Sequence, residues 1–230
     1  MLVGNDNEHP LAEAFRGLIR EQTFPCVGAK SALAKGQIEF IVARDMSSAW
    51  DDLRIYPGLL QLAESYRRDP KLFQSFVVLF EGPHDLSEAR FERLLWERAQ
   101  SLSDKDAWHG QDYDPRVSAD ADDPHFSLSF GGEAFFIVGL HPNASRPARR
   151  FACPALVFNM HDQFEQLRAK QIYEKMRETI IDRDVALAGT PNPMLSRHGE
   201  TSEARQYSGR AVDETWRCPF QADRKLTDAA

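Results

Sequence analysis

The most restrictive feature of this sequence is a pair of strand-like runs joined by two glycines. Residues 125–130 (HFSLSF) and 133–138 (EAFFIV) are rich in aromatic and aliphatic residues, and Gly131-Gly132 lies between them. Such a two-residue turn is typical of a tight β-hairpin, because glycine readily adopts the positive φ angles that the turn requires. A hairpin is an antiparallel strand pair, which argues against a purely parallel, doubly wound sheet.

Further strand-like and amphipathic segments surround this hairpin. We predict strands at 37–43, 74–81 and 155–160, and helices at 8–21, 29–35, 87–102, 161–169 and 171–187. A helical region from Ser47 to Arg68 is expected to break at Pro57-Gly58. Because helices and strands do not alternate regularly, we predict an α+β fold. It is a single domain over residues 1–230, with a mixed or mostly antiparallel sheet of about five strands flanked by helices and flexible ends at 1–7 and 221–230.

Length and charge exclude several classes of function. At 230 residues the chain is one domain. It is too short for a large haem-thiolate monooxygenase or a flavin monooxygenase with two nucleotide-binding domains. The formal charge of −7 argues against duplex DNA as a partner, since phosphate contacts need clustered cations. We therefore expect no nucleic-acid partner. No apolar run approaches the roughly 18 residues of a spanning helix, so we expect no membrane partner either.

The cysteines and the absence of common motifs limit the compartment, the cofactors and the classes of catalysis that the sequence supports. Cys26, Cys153 and Cys218 form no CxxC pair, which fits a reducing compartment, and the N-terminal residues do not resemble a signal peptide. We therefore expect a cytoplasmic protein. No GxGxxG, P-loop, GxSxG or HExxH motif occurs, so nucleotide cofactors bound by these loops, elbow-type hydrolases and zincins are not supported.

Residues 141–150 (HPNASRPARR) form a basic loop in an acidic chain. His141 stands where a predicted strand ends, and Pro142 prevents that strand from continuing. A side chain at a strand end is positioned by a rigid sheet, which suits a ligand or a catalytic group. The three arginines that follow can bind carboxylates or phosphates through two donors each: Arg146, Arg149 and Arg150. A histidine followed by arginines is the pattern that an anionic prosthetic group needs.

Four segments resemble the YqcI/YcgG family, and together they extend over about residues 10–220. They are FPCVGAKSAL (24–33), FSLSFGGEAFFIVGLHPNASRPARRF (126–151), PALVFNMHDQFEQLR (154–168) and NPML…GETSEARQYSGRA…WRCPF (192–220). The chain is most similar to the haem-dependent N-hydroxylase branch named for guanitoxin biosynthesis, and the arginine N-hydroxylase of D-cycloserine biosynthesis is similar to it. The strings GLHPNASRPARR (139–150) and SEARQYSGR (202–210) favour this branch.

The resemblance implies an enzyme, a haem-dependent monooxygenase. It would bind haem b (iron protoporphyrin IX) and use O2 to hydroxylate a guanidine or amine nitrogen of arginine or a related guanidino compound. The chain has no reductase motif, so the electrons must come from an external reductase or a small reductant. A homodimer would be ordinary for an enzyme of this size, although no residue pattern identifies one.

On this interpretation the basic loop holds the cofactor. His141 is the predicted axial ligand, and the alternatives are His125, His198 or a cysteine thiolate. Haem also needs cationic partners for its two propionates. For these we predict the loop arginines, with two later arginines as second choices: Arg146, Arg149, Arg150, Arg205 and Arg210.

The string SEARQYSGR holds the predicted substrate-binding residues. Glu203 would hold a substrate guanidinium through a forked pair, and Tyr207 or Ser208 would form a hydrogen bond with bound O2 or substrate. The structural alternative is that Glu203 pairs with Arg205 or Arg210 inside a loop.

Other functions remain open at this point. One is a haem-binding or sensing protein without turnover. Another is a non-haem iron oxygenase that uses the H-x-E pair His198 and Glu200. The third is a purely structural or interaction protein.

Overall fold

The computed structural model of the chain describes residues 5–197 and 199–222. Its centre is a five-stranded sheet made of β1 (Ile38–Asp45), β2 (Ser75–Gly82), β3 (Leu128–Phe130), β4 (Glu133–Leu140) and β5 (Ala155–Met160). The strands lie in the order β1-β2-β5-β4-β3. β1 and β2 are parallel, and every other neighbouring pair is antiparallel. The predicted mixed sheet of a single α+β domain is therefore confirmed.

Seven α-helices in the described residues flank the sheet. They are α1 (Pro10–Arg20), α2 (Val27–Ala34), α3 (Asp52–Arg68), α4 (Glu88–Trp108), α5 (His161–Ala169), α6 (Tyr173–Ala188) and α7 (Ala204–Tyr207). Two short 3-10 turns, Asp6–Glu8 and Pro147–Arg149, accompany them. Within the described ranges, no helix is both long enough and apolar enough to cross a lipid bilayer.

The hydrophobic core consists of two clusters, one built by α1 and α2 with the sheet and one by α3 and α4 with the sheet. In the first cluster, Phe15 of α1 packs edge-on against Phe40 of β1, with ring centroids 5.9 Å apart. In the second, Phe76 of β2 packs against Phe158 of β5 at 6.2 Å. Helices on both sides bury the central strands, as their continuous apolar runs require.

Helix α3 continues through Pro57, where the sequence predicts a break, and that prediction is wrong. Pro57 removes one backbone hydrogen bond, but the helix gains a close contact with the sheet through the next residue. A Cβ atom at Gly58 would lie 2.7 Å from Cζ of Phe76. The glycine therefore allows α3 to lie directly against β2, and this packing offsets its poor helix propensity.

The hairpin is confirmed, but its first strand begins three residues later than predicted. Gly131 and Gly132 have φ angles of 58° and 77°, as the turn requires. Before Leu128 the chain follows a turn instead, in which Phe126 N donates to Asp123 O at 3.0 Å. This local hydrogen bond keeps residues 125–127 out of the strand.

The segment before α1 lies along the free edge of β1. Asn7 Oδ1 accepts a hydrogen bond from Phe40 N at 3.3 Å, and Asp6 Oδ2 accepts one from Val42 N at 3.3 Å. These bonds cover part of an edge strand that would otherwise expose its N–H groups. Asp6 and Asn7 thus contact the sheet, and the flexibility expected of residues 1–7 and 221–230 stays a prediction. The expectation for 1–4 and 223–230 concerns positions outside the described residues.

Candidate functional site

His141 directly follows β4, and its imidazole is almost completely buried, at 1% exposure. The ring stacks on Phe91 of α4 with centroids 4.4 Å apart, and Nδ1 has no hydrogen-bond partner among the described residues. Burial lowers the pKa of His141, against the opposing charge of Glu88. The imidazole is therefore neutral at pH 7 and keeps the lone pair that a metal ligand needs.

The position of Phe91 depends on Gly139 of β4. A Cβ atom at residue 139 would lie 2.7 Å from Cε1 of Phe91 and 3.0 Å from Cδ1 of Leu95. The missing side chain lets the Phe91 ring lie against the strand beside His141. We call Gly139, His141 and Phe91 the imidazole seat.

Arg149 joins the basic loop to α7. Its Nη1 donates to the carbonyl oxygens of Gly139 at 3.0 Å and Tyr207 at 3.2 Å, and its Nη2 donates to that of Gln206 at 3.1 Å. Burial lowers the pKa of Arg149 to about 10, which leaves it cationic at pH 7. The two strings GLHPNASRPARR and SEARQYSGR, far apart in the chain, therefore meet at this guanidinium.

The other two arginines of the loop also bind acceptors of the protein. Arg146 forms an ion pair with Asp184 of α6. Arg150 is exposed, and its Nε donates to the carbonyl oxygen of Ala144 in the same loop at 2.7 Å. A haem propionate would have to share or displace these contacts.

Glu203, at the start of α7, is a buried carboxylate surrounded by polar groups. Its Oε2 accepts a hydrogen bond from Ser127 Oγ at 2.8 Å and lies 3.5 Å from the Tyr207 hydroxyl, while its Oε1 lies 3.5 Å from Nε2 of His161. The Tyr207 hydroxyl also donates to the carbonyl oxygen of Phe135 at 3.2 Å. Burial, with the charge of Glu203, raises the pKa of Tyr207 well above its usual range, so the phenol stays protonated. We call Ser127, His161, Glu203 and Tyr207 the carboxylate cluster.

Arg205 and Arg210, which are close to Glu203 in the sequence, donate hydrogen bonds to other acceptors. Arg210 Nε donates to Oε2 of Glu92 in α4 at 2.8 Å, and Ser208 Oγ donates to Oε1 of the same carboxylate at 3.2 Å. Arg205 Nη2 donates to a backbone carbonyl oxygen at residue 213, at 2.7 Å. Ser208 is thus bound to α4, apart from the carboxylate cluster.

An open cleft of about 520 Å³ lies beside the segment that carries Glu203. Its lining includes Ser202, Arg205 and Trp216, and the guanidinium of Arg205 lies 5.8 Å from the centre of the Trp216 ring. The lining also includes four other charged residues: Asp122, Glu200, Glu214 and Arg217. A cleft of this size with an aromatic wall could admit a small charged molecule.

The imidazole seat and the carboxylate cluster lie toward opposite ends of β4. His141 follows β4 and His161 follows β5, and because these neighbouring strands are antiparallel the two histidines lie at opposite ends of the strands. Phe135, whose carbonyl oxygen binds Tyr207, precedes His141 by six residues, or about 20 Å of strand. The predicted site residues therefore lie in two separate places, with His141 in the imidazole seat and Glu203 and Tyr207 in the carboxylate cluster. Tyr207 connects them, since its carbonyl oxygen binds Arg149 and its hydroxyl reaches Phe135.

His125 and His198 are the histidines that the sequence offers as alternatives to His141 for binding iron. The side chain of His125 is 64% exposed, and its Nδ1 lies 3.4 Å from Asp123. His198 lies outside the described residues, so the structure does not describe the pair that it would form with Glu200. In the part of the chain that is described, no group of three or more His, Cys, Asp or Glu side chains is placed to hold a metal.

All three cysteines are free thiols. Burial raises the pKa of Cys153 and of Cys218 to about 12, and it raises the pKa of Cys26 above its ordinary value. The thiols are therefore protonated at neutral pH, whereas an axial thiolate needs a lowered pKa.

Sequence analysis missed His161, Ser127 and Glu92. His161 follows β5 directly, as His141 follows β4, so the same strand-end argument could have identified it. Glu92 lies on the buried side of α4, where the pattern predicts apolar residues, and it becomes recognisable only through its contact with Arg210.

The imidazole of His141 has the chemical properties of a nitrogen donor to a metal. It is neutral, buried and fixed by ring stacking, and Nδ1 has no partner in the described part of the protein. A neutral ring with an available nitrogen is what ligation by imidazole requires, so His141 would be able to hold haem iron.

Comparisons with known proteins agree with the resemblance at the level of the family. The sequence model of the YqcI/YcgG family matches residues 15–221. The uncharacterized protein YcgG of Bacillus subtilis (strain 168) is 27% identical over 208 residues, which cover 86% of this chain and 81% of that protein. No solved structure gives a significant match. Because the family match extends over nearly the whole chain, this protein belongs to the YqcI/YcgG family.

Proposed function

We propose that this protein is a haem-dependent N-oxygenase that hydroxylates a guanidine or amine nitrogen, with arginine or a related guanidino compound as the substrate. The observation that carries the proposal is the imidazole seat, in which His141 is buried, neutral and without a partner at Nδ1 in the described part of the protein. The resemblance of residues 139–150 and 202–210 to the N-hydroxylase branch supports the same function. Both strings meet at Arg149.

His141 would hold the haem through its imidazole, and the loop arginines would bind the propionates. Arg150 is exposed, while Arg146 and Arg149 would exchange part of their present contacts. When bound, haem supplies the activation of O2, using electrons from an external reductase or reductant. The ring of Phe91 keeps the imidazole plane fixed against the strand.

The carboxylate cluster would bind the nitrogen group of the substrate; because it lies about 20 Å along β4 from His141, oxygen transfer would require the two places to come together when haem and substrate bind. Glu203 offers carboxylate oxygens as acceptors for N–H groups, and the protonated Tyr207 remains a donor at neutral pH. The ring of Phe136 lies 5.2 Å from that of Tyr207 and helps to exclude water. In such surroundings each hydrogen bond to the substrate is stronger than it would be in water.

The direct test is product analysis with protein expressed under haem supply. The protein is incubated with L-arginine, O2 and a chemical reductant, and mass spectrometry should detect arginine that has gained one oxygen atom. Glu203→Gln should lower product formation at least tenfold, whereas Glu178→Gln, at an exposed site of α6, should leave it unchanged. A haem-loaded protein that oxidises neither arginine nor related guanidines and amines would contradict the proposal and favour a haem-binding or sensing function.

A further inference from the structure

Three large apolar side chains are exposed around the start of α3 and the end of α4. Trp50 is 65% exposed, Leu53 70% and Trp108 82%, and these are the highest exposures among the large hydrophobic side chains that the structure describes. A single exposed apolar residue is ordinary, but a group that includes two tryptophans marks an interaction surface. We call Trp50, Leu53 and Trp108 the apolar patch.

Contacts between the start of α3 and the end of α4 bring the patch residues together. Asp52 in the first turn of α3 accepts a hydrogen bond from Lys105 Nζ in the last turn of α4, at 3.0 Å. One turn further along α3, the ring of Tyr56 stacks on that of His109, which follows α4, with centroids 5.4 Å apart. The patch residues are sequence neighbours of these four residues, so they lie at the same end of the helix pair.

The size of the patch fits a stable dimer. An aromatic side chain that is fully buried contributes about 150–250 Å², so the two tryptophans, at 65% and 82% exposure, offer roughly 220–370 Å². A stable interface buries about 800 Å² per partner, of which about 60% is apolar. The two indole side chains alone therefore supply roughly half to three quarters of the apolar area that a dimer needs. Tryptophan is also enriched among the residues that contribute most to binding.

The charges beside the patch have both signs. The guanidinium of Arg44 lies 5.6 Å from the centre of the Trp50 ring, and its side chain is 65% exposed although Asp51 lies 3.7 Å from Nε. Asp104, which is exposed, lies one helical turn before Trp108. In a dimer with a two-fold axis the same surface is used twice, so a contact between residues i and j occurs in both directions. A surface with one cationic and one anionic edge is complementary to itself in that arrangement.

We propose that the apolar patch joins two copies of this chain into a two-fold symmetric dimer. Trp50 of each copy packs against Trp108 of the partner subunit. This arrangement places Arg44 opposite Asp104 of the partner subunit. Phe91 contacts His141 near the start of α4, whereas Trp108 ends that helix about 25 Å further along its axis. The dimer therefore leaves the imidazole seat accessible, and it goes beyond the proposed function without depending on it.

Analytical ultracentrifugation of the full chain, purified without added haem, tests the dimer. At tens of micromolar the wild type should sediment as a dimer. Leu53→Glu and Trp108→Glu should each raise the dissociation constant about tenfold or more, because each would bury a charge in the apolar contact. Ile172→Glu is the matched control, since Ile172 is a large hydrophobic residue that is 41% exposed elsewhere. It should leave the dissociation constant unchanged.

Two outcomes of this experiment would overturn the proposal. One is a monomeric wild type, which would leave the patch to a different protein as partner. The other is a dimer that persists unchanged in both patch variants. Urea unfolding shows whether each variant folds, and if a glutamate variant does not, Trp108→Ala takes its place and should weaken the dimer in the same direction.

Charge reversal tests the two-fold arrangement itself. Arg44→Asp and Asp104→Arg each place like charges opposite one another in a dimer of the variant, so each should raise the dissociation constant about fivefold or more. When the two variants are mixed, opposite charges meet at both ends, and the mixture should form a heterodimer with close to the wild-type affinity. A mixture that associates no better than its components would overturn this pairing. Neither measurement uses haem or product, so a failure here and a failure of the proposed function are distinguishable.

Discussion

Arg149 Nη1 donates a hydrogen bond to the carbonyl oxygen of Tyr207 at 3.2 Å. The same nitrogen binds Gly139 of β4, so one guanidinium ties α7 to the sheet. A helix of four residues cannot maintain itself, because helix formation needs a longer segment or tertiary support. The position of Tyr207 and Glu203 therefore depends on this arginine, together with the bonds of Tyr207 to Phe135 and of Glu203 to Ser127.

Replacing Arg149 should destabilise the protein more than replacing its sequence neighbour. Arg149→Ala leaves the carbonyl oxygens of Gly139, Gln206 and Tyr207 without their donor, which should cost about 3 kcal/mol. Arg150→Ala removes an exposed side chain whose hydrogen bonds, among the described residues, go to its own loop, and should cost less than about 1 kcal/mol. Urea unfolding measures both values. Equal losses would show that Arg149 does not anchor α7.

Adding a methyl group at Gly139 should disturb the imidazole seat. The new Cβ atom would lie 2.7 Å from the Phe91 ring, and we expect Gly139→Ala to cost about 1–3 kcal/mol of unfolding free energy. Gly17→Ala is the control, since a Cβ atom there meets no described residue within 4 Å. Because alanine is the better helix former, this control should stabilise α1 by about 0.5–1 kcal/mol. If Gly139→Ala were as stable as the wild type, the close approach of Phe91 would not be required.

The sequence predicts the sheet and its hairpin well because these depend on local patterns. The predicted strand at 155–160 has the bounds of β5, and Gly131-Gly132 has the turn conformation that two glycines allow. The error at Pro57-Gly58 has a tertiary cause. A glycine can leave room for an aromatic ring from a neighbouring strand, or it can end a helix. The local sequence looks the same in both cases.

The candidate site is less predictable from sequence because its residues act through distant partners. The location of His141 at a strand end follows from the pattern of β4, and the structure places it there. The separation of His141 from Glu203 depends on strand register and on the course of α7, which no local pattern encodes. The contact of Arg210 with Glu92 likewise joins residues more than 100 positions apart.

The ion pair of Asp114 and Arg116 beside the hairpin should make the free energy of unfolding depend on pH in the acidic range. Burial raises the pKa of Asp114, but hydrogen bonds from Arg116 outweigh this effect and hold the pKa below its usual value. A lowered pKa in the folded state adds stability above the unfolded value of about 3.9, and this is lost as the pH falls through the folded value. Asp114→Asn should therefore cost about 2 kcal/mol at pH 7, given the partial exposure of Arg116.

The pH dependence of unfolding distinguishes this explanation from a simple loss of packing. The stability gap between wild type and Asp114→Asn should shrink below about pH 4, where the wild-type carboxyl takes up its proton. Asp112→Asn, at an exposed site, should match the wild type at every pH. A gap that stays constant down to pH 2 would show that the charge of Asp114 is not responsible.

Cysteine replacement should leave haem binding intact. Because burial raises the pKa of the thiols of Cys26, Cys153 and Cys218, none should act as a thiolate ligand at neutral pH. Cys26→Ser, Cys153→Ala and Cys218→Ser should each keep the haem content and the visible spectrum of the wild type. Loss of the spectrum in any one of them would assign the axial position to sulfur.

The absorbance spectrum of protein expressed with haem supply tests the central claim most directly. The wild type should be coloured and show a Soret band. His141→Ala should lose the band or shift it, while His84→Ala, at an exposed site, should keep it. A wild-type protein without haem, or a His141→Ala variant with full haem occupancy and an unchanged spectrum, would contradict the assignment of His141 as the axial ligand.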